Sequence, residues 1–398
     1  MGNLGKKNLF IELKNEKYVI TVGEYDEEFN LTILENKTFV SKGIKHGKIF
    51  DLSETSKSLK SGLSEIEDKV NYVFDNANVI LNTDFDCVNI SGFKKLNGNQ
   101  ILSEDIAYIL NDLKMKIVDS EKNKSIIHIF NTKYEIDKKS IKNLPIGLHG
   151  NFYIHDLSFF LINNNDYKII NQLLNKCNLN LSRFILKSFI DGVGVIKEKK
   201  RETFFLVKID KEHSHIIFFL ESAFCYYEKF VFGSDIILKD ISKVCGLDIK
   251  IVNKFISDID LIQEENLSQK FLDKKYFTNQ KYRKISFEHI LNICNARIDE
   301  IIDLIISKNI NLKNFDKKNL NLYIYLEDNN LLKNLSHQFK KRVNSGLSVE
   351  TDYNFEANQE NTAKIFSELI SRGWVKEAIP VTKKKKSLIS RIFSLIFE

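Results

Sequence analysis

The stretch Glu202–Phe232, ETFFLVKIDKEHSHIIFFLESAFCYYEKFVF, decides the fold. Its short runs of Phe, Ile, Leu, Val and Tyr are separated by polar clusters, so it reads as three strands in succession. The chain has already done this once. LFIELKNEKYVITVGEY (Leu9–Tyr25) alternates polar and apolar residues on either side of KNEK, a hairpin pattern, and LTILENKTFV (Leu31–Val40) adds a third strand. After GIKHGKIFDL, Ser53 is placed to cap a helix running to about Phe74, with Leu59, Leu63, Ile66 and Val70 on one face. Three strands followed by a helix at the start of both halves is internal symmetry. It predicts an α/β protein built from a duplicated unit.

Between the halves the pattern changes. From about Asn78 to Asn163 come a short strand, a helix SEDIAYILNDL capped by Ser103, and the strand-like SIIHIFNTKYEID and FYIHDLSFFLI, which together read as a compact module inserted into the first unit. DYKIINQLLNKC then returns as a helix and RFILKSF as a strand. In the second half, ISKVCGLDIKIVNKFISDI (241–259) and SFEHILNICNARIDEIIDLIISK (286–308) are helical by period, LNLYIYLEDNNLLKNLSHQF is a buried strand, turn and helix, and NTAKIFSELISRGWV is a closing amphipathic helix. Proline occurs only at Pro145 and Pro380, so no proline-rich linker separates domains, and Pro380 is expected to stop structure.

At 398 residues, 43% hydrophobic and 28% charged, the chain is long enough for two or more packed domains and lies outside the disordered class. Most of its formal charge of +6 comes from Lys383, Lys384, Lys385, Lys386 and Arg391. The body is nearly neutral, with lysines and acids alternating, which argues against nucleic acid as a partner. Cys87, Cys177, Cys225, Cys245 and Cys294 form no CxxC pair and read as reduced, mostly buried thiols of a cytosolic protein. The N-terminus MGNLGKKNLFIEL lacks a signal-peptide core and a myristoylation serine or threonine, and no run approaches eighteen apolar residues, so nothing is expected to span a membrane.

The last sixteen residues, KKKKSLISRIFSLIFE, are a candidate membrane site. At about 100° per residue, Leu388, Ile389, Ile392, Phe393, Leu395, Ile396 and Phe397 share one arc, and Ser390, Arg391, Ser394 and Glu398 the other. Such a helix lies in a membrane interface, and each flanking lysine near an anionic leaflet adds about 1 kcal/mol. The alternative is a helix that docks on a protein. Two further groupings have plain structural explanations. His213 and His215 lack a third metal ligand nearby and fit a solvated strand face, and Asp84 and Asp86 fit a loop; no metal site and no Ser/His/Asp or Cys/His catalytic signature is found. Arg297 and Glu300, about one turn apart on a helix whose Leu291, Cys294, Ile298, Ile301 and Ile305 face inward, fit an intrahelical ion pair.

The duplicated halves, the insert in the first and the basic amphipathic tail resemble the FtsA family of bacterial cell-division proteins, which are actin-like. GIKHGKIFDLSETSKSLKSGLSEIE, FGSDIILKDIS and above all SIIHIFNTKYEIDKKSIKNLPIGLHG match the family's blocks in order, from Leu9 to the C-terminus. The resemblance implies an actin-like, ribonuclease-H-like duplicated fold around a cleft. Residues 1–77, 164–200 and 346–376 would form subdomain 1A, 78–163 an inserted SHS2-type subdomain 1C, 201–235 and 305–345 subdomain 2A, and 236–304 subdomain 2B. Residues 377–382 would be a linker, and 383–398 a membrane-targeting helix. It further implies a tether for FtsZ filaments on the cytoplasmic face of the inner membrane at the division site, with Arg297 and Glu300 on the FtsZ-gripping helix. Other division proteins would be recruited through 1C, and the chain would self-associate.

The resemblance also implies ATP and Mg²⁺ in the cleft, at Glu12, Lys14, Asn15, Lys211 and Gly233. The residues argue against it. The family's first phosphate loop, DIGTSK, falls on ELKNEK, where Lys14 takes the glycine, and the second, VDIGGGTTD, falls on VKIDKEHSH (Val207–His215), where every glycine is gone and Lys208 and His215 replace acids. The third, LTGGGA, falls on YLEDNN, which puts Glu327 and Asp328 at the adenosine. Lys14 and Lys211 remain as point charges for a phosphate. The expectation is no ATPase activity and weak or absent nucleotide binding, hence an adaptor and not an enzyme. The runners-up are a pilus-assembly-type actin-like scaffold, which would not require the tail, and an actin-fold ATPase or kinase, which would require the missing glycines and acids.

Overall fold

The computed structural model describes residues 6–258, 268–277, 281–313, 315, 320–326, 347–352 and 359–380. The chain divides into two compact units: Met1–Glu202 with Phe219–Tyr226 and Asn358–Glu398, and Thr203–Phe218 with Tyr227–Ala357.

The first unit opens with β1 (Lys7–Leu13), β2 (Lys17–Tyr25) and β3 (Leu31–Val40), paired antiparallel with Ile11 opposite Ile20 and Thr21 opposite Asn36. β2 is buried along almost its whole length, while β3 alternates between cover and solvent, as suits a central and an edge strand. A small ribbon, β4 (Ile44–Lys45) with β5 (Lys48–Ile49), precedes α1 (Leu52–Val70). Asp51, not Ser53, caps α1, its carboxylate accepting the Glu54 N–H at 2.9 Å. The helix stops at Val70 because Asn71 turns left-handed, with φ 48°. β6 (Asn76–Leu81) pairs parallel with β1.

The insert follows: β7 (Asp86–Lys95), α2 (Ser103–Ser120), β8 (Lys124–Ile136), β9 (Lys139–Ile141) and β10 (Phe152–Asn163). Because β6 belongs to the first sheet, the insert begins after Leu81 and not at 78. The start of α2 is held by Asp105, which accepts the Leu102 N–H at 2.8 Å, and not by a cap from Ser103. α2 lays Ile106, Ile109, Leu110, Leu113 and Ile117 on the sheet residues Ile129, Tyr153, Leu157 and Phe159. Each such aliphatic side chain contributes about 1.5–3 kcal/mol of burial.

The chain then returns through α3 (Asn164–Lys176) to β11 (Asn180–Leu186), parallel to β6, and enters α4 (Lys187–Lys199) at once. The expected strand RFILKSF is therefore strand only as far as Leu186.

The second unit is built from β12 (Phe204–Ile209), β13 (Ser214–Leu220) and β14 (Ala223–Phe230), then α5 (Asp235–Cys245), α6 (Ile249–Asp258) and α7 (Phe287–Ile302). The helical run 241–259 is broken at Gly246, whose φ of 58° ends α5. α7 buries Phe287, Ile290, Cys294, Ile298, Ile301 and Ile302, with Leu291 only half-buried, and runs into a π-helical turn at Asp303–Ser307. β15 (Leu320–Leu326) pairs parallel with β12, and β16 (Leu347–Asp352) parallel with β15. The stretch 347–352, expected in the first half, is thus a strand of the second sheet. α8 (Gln359–Arg372) and β17 (Glu377–Pro380) follow in the first unit. β17 pairs with β8, so residues 377–380 are not a linker.

Strand order proves the duplication. The first sheet runs β11-β6-β1-β2-β3 and the second β14-β13-β12-β15-β16. Each places its first three strands consecutively and adds two parallel strands beside the first. This is the duplicated, ribonuclease-H-like plan of actin-like proteins, with a separate sheet, β17-β8-β10-β7, set into the first half.

Candidate functional site

Glu12, next to last in β1, has its carboxylate buried, and the Lys14 ammonium lies 3.5 Å from it with little exposure of its own. The turn is tied down from both sides: the Lys14 N–H bonds the Lys17 carbonyl at 2.9 Å, and the Glu16 N–H bonds the Ile44 carbonyl at 3.0 Å. Asn15 accepts the His46 N–H at 3.1 Å. Lys14 is thereby engaged by a buried acid of its own hairpin, and Asn15 braces the ribbon.

In the second unit the turn between β12 and β13 is an Asx turn, with Asp210 Oδ1 accepting the N–H groups of Glu212 (2.8 Å) and His213 (2.6 Å). His213 sits on this turn and His215 on the strand, so the two do not share a strand face. The turn leans onto the start of α5: the Ser234 N–H donates to the Asp210 carbonyl at 2.8 Å, and the Asp235 N–H to the Lys211 carbonyl at 2.9 Å. Gly233 permits this approach, because a Cβ there would stand 2.3 Å from the Asp210 oxygen. The first N–H groups of a helix are its anion site. Here two peptide carbonyls consume them, and the Asp235 carboxyl adds negative charge in the first turn. Lys211 is exposed on this turn. Neither described loop fits a triphosphate with its Mg²⁺. Glu327 and Asp328 lie outside the described residues.

Arg297 and Glu300 meet as expected, Nη1 of Arg297 bonding the Glu300 carboxylate. The sequence did not reveal the third member: Nε of Arg297 bonds Asp240 of α5, and that hydrogen bond raises the guanidinium pKa further above its ordinary range. Arg297 therefore clamps α5 to α7, and Glu300 is the more exposed member, about half open to solvent. Asp84 and Asp86 are paired with Lys48 (3.0 Å) and Lys124 (3.1 Å).

The candidate membrane residues 383–398 lie outside the described residues, but the strand leading to them is firmly held. The Trp374 indole N–H donates to the Ser222 carbonyl at 2.7 Å, and the Lys376 ammonium to the Lys142 carbonyl at 3.0 Å. Burial pushes the Lys376 ammonium pKa down, against the Glu221 carboxylate 3.8 Å away. Glu377 is buried against His128, Oε1 to Nδ1 at 2.6 Å, while His128 Nε2 accepts the Leu186 N–H at 3.3 Å. That second bond fixes the ring proton on Nδ1. No sequence signal marks this pair, whose members are 249 residues apart. The five cysteines are all free, and four are buried; burial pushes the Cys177 thiol up to about 11 and the Cys294 thiol to about 12. No described helix is long and apolar enough to cross a membrane.

Comparison with known proteins bears on the insert first. The family model described as "SHS2 domain inserted in FTSA" matches residues 83–152. The cell division protein FtsA of Buchnera aphidicola subsp. Acyrthosiphon pisum is 22% identical over 235 residues, covering 58% of this chain and 56% of that protein. FtsA of Pseudomonas aeruginosa is 21% identical over 240 residues, covering 60% and 57%. The chain thus aligns with little more than half the length of these relatives. Among solved structures, the PilM–PilN type IV pilus biogenesis complex is 8% identical, covering 91% of this chain and 95% of that one, with a TM-score of 0.49. MreB5 of Spiroplasma citri bound to ADP is 11% identical, covering 92% and 97%, with a TM-score of 0.48. The SHS2 match falls where a separate sheet interrupts the first of two duplicated halves, and the curated relatives align well beyond the length of that insert, so the chain is FtsA-like and divergent.

Proposed function

We propose that the chain serves bacterial cell division as a peripheral-membrane adaptor. Residues 383–398 hold the cytoplasmic leaflet of the inner membrane, the second unit binds FtsZ filaments around Glu300 and Arg297, and the insert contacts other division proteins. The observation that carries this reading is the coincidence of the SHS2 match at 83–152 with a sheet that the topology sets apart inside an actin-like half. The lipid assignment rests on the charge and arc of the tail. One such helix binds reversibly, so firm attachment calls for several subunits acting together through avidity.

We infer that the protein acts without hydrolysing ATP. The internal hydrogen bonding of the loop at Asp210–His213 and the Glu12–Lys14 pair support this reading, since both engage groups a triphosphate needs.

Co-sedimentation with anionic vesicles, with and without FtsZ, tests the adaptor. The full chain is expected to pellet and to carry FtsZ with it, the chain lacking 381–398 to stay in solution, and Glu300→Lys to pellet without FtsZ. Equal pelleting of full and shortened chains would remove the tail from the membrane. Unchanged FtsZ carriage by Glu300→Lys would move the filament site elsewhere.

A further inference from the structure

The outward face of α2 carries three large exposed apolar side chains among its polar residues. Tyr108, Met115 and Val118 are 62%, 66% and 52% exposed. At about 100° per residue they form one seam along the helix. Glu104 and Asn111 lie on the same arc, and Asp112 and Asp119 border it on one side. Asp112 is held by Lys116 at 2.7 Å, and Lys114 stands on the other side. The last turn of α2 carries no basic side chain of its own; Lys124, just beyond it, is paired with Glu121 at 2.8 Å.

The strand that leads to the chain's own C-terminus runs toward the end of α2. β17 runs antiparallel to β8, with Glu377 opposite Phe130 and Pro380 opposite His128, so the chain leaves Pro380 heading toward Lys124. Lys124 begins β8, a few residues beyond Ser120, where α2 ends. Ala378 of β17 is buried in the same core as the inner face of α2. From His128 back to Lys124 is roughly 14 Å of strand, and residues 381–386 reach up to about 20 Å when extended. Residues 387–398 wound as a helix measure about 18 Å, against about 27 Å for α2. Those lengths are enough for the four lysines to reach the C-terminal end of α2 and for a helix bearing Leu388, Ile392, Phe393 and Ile396 to reach along the seam.

We propose that the outward face of α2 is a docking site for the chain's own residues 383–398, which leave it for an anionic membrane. The proposal rests on the membrane reading of the tail and adds a competing seat for it. A tail docked about nine-tenths of the time lowers the apparent lipid affinity about tenfold, and loss of the seat restores that factor.

Two measurements on the full chain decide it. With a photo-crosslinking phenylalanine analogue in place of Val118, irradiation without vesicles is expected to join α2 to the Ser387–Glu398 peptide within one chain, and phosphatidylglycerol vesicles are expected to suppress the product. A crosslink only to a second copy, or none to the tail, overturns the proposal. Independently, Tyr108→Ser, Met115→Ser and Val118→Ser together are expected to bind such vesicles several-fold more tightly than the parent; equal affinity overturns it. All three positions are exposed, and a retained cooperative melting transition well above the assay temperature excludes unfolding as the cause. If the crosslink forms but neither chain pellets with vesicles, the docking stands and the membrane reading falls.

Discussion

Gly233 does a backbone's work at a position where the resemblance predicts a ligand. The resemblance put it beside a phosphate; in the fold it lets Ser234 and Asp235 donate to the carbonyls of Asp210 and Lys211. Gly233→Ala forces a methyl group into that contact and is expected to cost about 1–3 kcal/mol, read as a lower midpoint in urea denaturation. The loss of the neighbouring glycines was legible in the sequence. The rebonding of the turn was not, because it depends on backbone direction. The same holds for His155, which is wholly buried, with Nε2 2.8 Å from Asn131 Oδ1. Burial holds its pKa down at about 3, below the ordinary 6.5. Between those values the unfolded chain takes up a proton that the folded chain refuses, so stability falls as pH falls through this window, by up to about 1.4 kcal/mol per unit. Acidification from pH 7 to pH 5 is expected to cost the parent about 2 kcal/mol more than a His155→Gln variant, measured by urea titration at both pH values.

Among elements, strands announced themselves and ends did not. The runs at Leu9–Tyr25 and Glu202–Phe232 are long, β-branched or aromatic, and separated by polar turns, so hydrophobic pattern alone places β1, β2, β12, β13 and β14. α4 went unread because Gly192 and Gly194 weaken its helical signal; Gly192 is there for packing, since a Cβ would lie 2.0 Å from the Phe219 ring. β17 was misjudged for a different reason. Four residues ending in proline look like a stop, yet their partner strand β8 is far away in sequence, and only the fold brings it near. Truncation separates the two views. Deleting 381–398 is expected to cost no more than the docking of the tail supplies, about 1.4 kcal/mol, whereas deleting 374–398 also removes Trp374, Lys376, Glu377 and the buried Ala378, and is expected to cost about 3 kcal/mol or more by calorimetry.

For the molecule as a whole, duplication was the most legible feature, because two sheets of one strand order need two similar sequence patterns. The candidate site was legible only in its parts. Arg297 and Glu300 were found by spacing, but Asp240, on another helix, was not. The degenerate loops imply that calorimetry with ATP and Mg²⁺ will show no micromolar site and that no phosphate will be released on incubation; a micromolar dissociation constant would return the chain to the nucleotide-driven members of its fold. The attachment of β17 has a mechanical meaning. Tension on the chain beyond Pro380 passes first into the ladder between β17 and β8 and the bolts at Glu377, Lys376 and Trp374, and only afterwards into α8. The inserted domain therefore lies in series between any pull from the C-terminal end and the rest of the protein, and such a pull is felt there before anywhere else.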